Sequence, residues 1–214
     1  MKNLLLAAAL LAAVSGAVAE PLTATVSVKG QSLAAELDTM GVETKWIAGE
    51  RVDWRTGLPN GKPLTRPGRH THCSAFVAAA AEKVGVYILR PPEHSAVLLA
   101  NAQNAWLRED GAAKGWRELP NAEAAQAAAN EGELVVASYL SRYSDTPGHI
   151  AIVRPAARSA EEIAADGPLV IQAGTVNSAA ISLREGFAGH PRALRGQGLS
   201  YFAHEIEPAG EPKS

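Results

Sequence analysis

Apolar positions change their period along this chain. Cys73 to Val84 (CSAFVAAAAEKV) is rich in Ala, and Phe76, Val77, Ala80 and Val84 share one face. That spacing predicts a helix, which Gly85 stops. Thr71 or His72 stands near its N-cap, so Cys73 falls in the first turn. Pro91-Pro92-Glu93 opens a second predicted helix to about Arg108, with Val97, Leu98, Asn101 and Ala105 along one side. Asn121 caps a third, Ala122 to Asn130, before Gly132. Then the pattern becomes that of strands. Leu134 to Leu140, His149 to Arg154, Leu169 to Ala173, Ala180 to Leu183 and Tyr201 to Glu205 are short, β-rich and separated by turn residues. Helices followed by strands predict an α+β fold with an antiparallel sheet. Arg158 to Asp166 reads as a solvated insertion and Arg184 to Arg195 as a solvated loop.

Two segments precede this pattern. Lys2, the unbroken apolar run Leu4 to Val14 and the small-x-small site Ala17-Val18-Ala19 form a secretory signal peptide over 1–19. The expectation is an exported chain, periplasmic or secreted, cleaved near Ala19. The apolar run is too short to span a bilayer comfortably, and no Cys follows it for a lipid anchor. Residues 20–69 are poorly periodic. Thr23 to Lys29 alternates weakly, as a strand would, and Gly57 to Gly68 is a Pro- and Gly-rich loop. This segment reads as an N-terminal extension packed on a domain over 70–214.

Composition narrows the functional classes. Of 214 residues 47% are hydrophobic and 20% charged, a globular balance rather than a disordered one. A net charge of −2 argues against a nucleic-acid surface. Trp46, Trp54, Trp106 and Trp116 read as core anchors. Cys73 is the only cysteine, so an exported chain cannot form an internal disulfide. Such a thiol is either kept for its chemistry or buried as a small hydrophobe.

Three residues can be argued together. Cys73 at a helix start sits in partial positive charge that favours thiolate. His149 opens a strand after Pro147-Gly148 and could add the charge of an imidazolium. Together they predict a Cys73 pKa below that of a free thiol. Gln172, a polar residue within an apolar run, could orient the imidazole, and Asn177 in the following turn is its rival. His70, His72 and Cys73 fall short of a zinc ligand set, and no metal or other cofactor is expected. His94, His190 and His204 have no assigned role.

His72-Cys73-Ser74-Ala75-Phe76-Val77 resembles the nucleophile motif of NlpC-type cell-wall peptidases. Gly132-Glu133-Leu134-Val135-Val136 with Gly148-His149-Ile150-Ala151-Ile152-Val153 resembles the strand pair shared by the NlpC and CHAP cysteine hydrolases. His72 and Ala75 depart from the usual Asp and Gly. The resemblance covers about residues 70–185. It implies a papain-like core, in which the Cys73 helix packs on the sheet carrying His149. It also implies a hydrolase with Cys73 as nucleophile, His149 as base, Gln172 as orienting residue and the Cys73 backbone N–H as oxyanion donor. The implied substrate is the peptide stem of peptidoglycan, with no nucleic acid and no membrane anchor involved. Two alternatives stand beside it. One is a non-catalytic exported binding module of the same fold. The other is a thiol hydrolase or acyltransferase acting on another amide or acyl group.

Overall fold

Residues 134–204 supply five strands, and in all but the one at Ser178–Ser182 the side chains alternate between two largely buried faces. In the computed structural model, which describes residues 25–64 and 70–207, these are β2 (Leu134–Tyr139), β3 (His149–Val153), β4 (Leu169–Gln172), β5 (Ser178–Ser182) and β6 (Leu199–His204). A short edge strand, β1 (Arg117–Leu119), has no periodic signal in the sequence. The six form one antiparallel sheet in the order β1-β6-β2-β3-β4-β5. With six α-helices among the described residues, the fold is α+β.

Both sheet faces are covered, so β2 and β3 are buried at every position. On one face Val136, Ile150, Ile152, Ile171 and Phe202 meet α2 (Cys73–Lys83) and α3 (Leu99–Glu109). The many alanines of α2 let its backbone lie close to the strands. On the other face Val135, Ala137, Ala151, Val153 and Val170 meet α4 (Ala122–Asn130) and α6 (Leu183–Gly186).

Several sequence expectations need correcting. Thr23 to Lys29 is not a strand across its described part. Ser27 accepts a hydrogen bond from Gly30 N at 3.0 Å and starts α1 (Val28–Asp38), and this cap outweighs a weak alternation. The second helix begins at Leu99, not at the prolines, because Leu98 takes a left-handed backbone (φ 54°). Arg158 to Asp166 contains α5 (Ala160–Asp166), started by a Ser159/Glu162 capping box and anchored by buried Ile163. Arg184 to Arg195 is not a solvated loop. It holds most of α6 and a 3₁₀ turn, and buries Phe187 and Ala193. The proposed signal peptide, 1–19, lies outside the described residues.

The segment before residue 60 shares the main core. Trp46 is buried edge-on against Phe76, with ring centroids 5.2 Å apart. Gly57 (φ 68°) makes this possible, since a Cβ there would sit 2.3 Å from the Trp46 ring. Arg154 grips Asp38 of α1 with two bonds of 2.6 and 2.8 Å. Among the described residues, no helix is long and apolar enough to cross a membrane.

Candidate active site

His149 is the first residue of β3, and helix α3 sets its position. Asn101 donates to Thr146 O at 3.0 Å and accepts from Gly148 N at 2.8 Å, clasping the backbone on both sides of Pro147. Gly148 has no room for a side chain, as a Cβ would stand 2.1 Å from Tyr139 O. Strand alternation then places His149 with Ala151 and Val153, on the face covered by α4 and α6.

Gln172 shares that face. Ile152 pairs with Ile171 and Val153 with Val170, which makes Gln172 a diagonal neighbour of His149. Gln172 Oε1 lies 2.8 Å from His149 Nε2, while Gln172 Nε2 donates to Val176 O at 3.0 Å. The second bond fixes the amide with its oxygen toward the ring. The imidazole therefore carries its proton on Nε2 and keeps a lone pair on Nδ1. Asn177 is engaged elsewhere. Its Oδ1 accepts from Gly174 N at 3.0 Å, and its Nδ2 donates to Val42 O and Lys45 O at 2.9 and 2.7 Å.

Cys73 opens α2 on the other face. His72 is the N-cap residue but supplies no side-chain cap; its Nε2 donates to Glu50 O at 2.9 Å instead. The sulfur lies against the backbone N–H of Ile150, one residue beyond His149. Thiol and imidazole thus approach the start of β3 from opposite faces. Among the described residues, no hydrogen bond joins them.

The electrostatics correct a sequence expectation. Burial pushes the Cys73 thiol up, against the smaller opposing pull of the Ile150, Ser74 and Cys73 N–H groups. The thiol is 5% exposed, and losing water around a thiolate outweighs the helix start. Burial likewise holds His149 below its ordinary value, partly countered by the Gln172 bond. The resting pair is therefore a neutral thiol and a neutral imidazole.

Sequence reasoning assigned nothing to His190, yet its ring stacks on His149, with centroids 5.2 Å apart and planes at 14°. Phe187 meets the same imidazole edge-on at 4.6 Å. Neither contact has a local sequence signal, because both come from a segment about forty positions downstream of His149. Two surface grooves, of about 550 and 430 Å³, lie away from this site. One lies between α4 and β1, and the other lies beside Trp46 and the end of α2. Among the described residues, no group of three His, Cys, Asp or Glu side chains could hold a metal ion.

Comparison with known proteins finds no family model that matches the chain and no significantly matching curated sequence.

Proposed function

We propose that this protein is an exported cysteine hydrolase with a papain-like core, cleaving peptide or amide bonds of peptidoglycan stems. The observation that carries the reading is the orientation of His149. Gln172 Oε1 accepts a hydrogen bond from Nε2–H at 2.8 Å, which leaves Nδ1 unprotonated as a base, while the Cys73 sulfur lies against the N–H of the next residue, Ile150. A hydrolase of this kind needs a base held in one tautomer by a hydrogen-bonding partner. In the proposed reaction Nδ1 takes the Cys73 proton and the thiolate attacks the amide carbon. The resulting oxyanion is stabilised by the Cys73 N–H at the start of α2. The imidazolium then protonates the leaving amine, and water releases the acyl group from sulfur. Since Cys73 and His149 are each 5% exposed and approach β3 from opposite faces with no hydrogen bond between them, substrate binding has to open the site and bring thiol and imidazole together before the proton can transfer.

A second reading has its own support: the buried, un-ionised thiol fits a non-catalytic binding module. Digestion of purified peptidoglycan by the chain beginning at Glu20, with mass analysis of the products, separates the two. The hydrolase reading expects new stem fragments, none from Cys73→Ala, and a larger loss of turnover in Gln172→Ala than in Asn177→Ala. Intact peptidoglycan that is nevertheless retained by the protein would overturn the hydrolase reading in favour of the binding module.

A further inference from the structure

His190 is fixed by its own turn. Its N–H donates to Phe187 O at 2.7 Å, and its carbonyl accepts from Ala193 N at 2.9 Å. Phe187, the C-cap residue of α6, is completely buried. The Ser182/Glu185 capping box that starts α6 anchors this corner to the end of β5. The His190 ring therefore has a rigid base and is not a loose surface side chain. It lies nearly parallel to His149 and also leans on Tyr139, at 5.2 Å between centroids.

The imidazole of His149 is thus enclosed on three sides. Gln172 holds Nε2, Phe187 presents its ring at 70°, and His190 covers one flat face. Turning about the Cβ–Cγ bond would break the Gln172 bond and drive the ring into the stacked His190. A single hydrogen bond is a weak restraint on rotation; a bond and a flat wall together define one orientation.

We propose that His190 is a positioning residue, whose stacked ring keeps the His149 imidazole in the orientation that leaves Nδ1 free. The proposal rests on the hydrolase reading for what that orientation serves. His190 performs this role as a neutral ring, because a second cation stacked there would oppose the imidazolium formed in the reaction. Its surroundings favour the neutral state. The titratable groups around the stack are Tyr139 from β2 and the two histidines, while β4 and α6 contribute Gln172 and Phe187. Burial and the nearby His149 hold His190 down at about 4.

The test uses imidazole nitrogen NMR of His149 in the folded chain, with His190→Phe, His190→Leu and His190→Ala. The wild type is expected to show the Nε2–H tautomer alone. His190→Phe, which keeps a flat ring, retains that tautomer. His190→Leu fills the volume without a flat face, and His190→Ala removes it. Both should mix the tautomers, and His190→Ala should also raise the His149 midpoint toward the ordinary ~6.5. On a cleaved substrate, His190→Leu should lower kcat about tenfold with KM unchanged, and His190→Phe should restore it. A single Nε2–H tautomer in folded His190→Leu would overturn the proposal, even if His190→Ala did not fold. The NMR readouts need no substrate, so failure of the hydrolase reading is distinguishable from failure of this one.

Discussion

At Cys73 two effects oppose each other. The first turn of α2 and the N–H groups of Ile150 and Ser74 favour a thiolate, while nearly complete burial favours a thiol, and burial prevails. The rate of iodoacetamide alkylation against pH should therefore have its midpoint above the ~8.5 of a free cysteine in the native chain. It should return to about that value in denaturant. A native midpoint below the free value would mean that the thiol is already activated at rest, and the closed resting site would be wrong. The position of Cys73 at a helix start was legible in the sequence, because an Ala-rich run with a glycine stop marks a helix without tertiary help. Its ionisation was not. Desolvation depends on how tightly α2 sits against Ile150 and Ile152, and the pattern of α2 alone carries no record of that distance. Gln172 was legible for a related reason: an amide inside Leu169-Val170-Ile171 needs a partner, and alternation limits where one can be. The stack of His190 on His149 was not, since it joins a strand residue to a turn about forty positions downstream.

Among the elements, the turn after β4 ties the N-terminal extension to the sheet. Asn177 bridges Gly174 N to the carbonyls of Val42 and Lys45, with a longer third contact of 3.3 Å to Trp46 O. Asn177→Ala would leave these groups to find water or stay unpaired, at a cost of about 1–3 kcal/mol. Urea unfolding should show that loss, while NMR of His149 should still report the Nε2–H tautomer held by Gln172. A changed tautomer in Asn177→Ala would mean that the turn, rather than Gln172, orients the ring. Periodicity located the long elements to within a few residues, because α2, α4, β2 and β3 each carry a strong repeat. It failed where a single residue decided the local structure. Ser27 turned a weakly alternating stretch into the start of α1. Leu98 in a left-handed backbone delayed α3 until Leu99. Ser159 and Ser182, each with a capping glutamate, made helices of segments whose charge suggested solvated loops.

For the molecule as a whole, three histidines are held below their ordinary values, each with burial as the first cause: His72, His149 and His190. His72 is also opposed by His70, and His190 by His149. In the unfolded chain all three would take up protons near pH 6.5. In the folded chain they resist until lower pH, which for His190 is about 4. Between those limits the unfolded state binds more protons than the native state, so acidification favours unfolding. Stability is fully present above pH 6.5 and is lost as pH falls toward 4, by at most about 1.4 kcal/mol per pH unit for each histidine. The half-buried His72 and His190 should each contribute less than that limit, through solvent screening. The carboxylates of Asp53 and Glu161 are held low, so their contributions fade only at more acidic pH. The melting temperature should therefore fall between pH 6.5 and 4.5, with ~2–4 °C for each kcal/mol lost. His190→Phe keeps the ring but takes up no proton, so its decline should be shallower by up to one histidine's share. Thermal melts of both proteins at half-unit pH steps would measure this. A flat wild-type profile across that window, or a His190→Phe profile parallel to it, would mean that His190 is not held neutral by the fold.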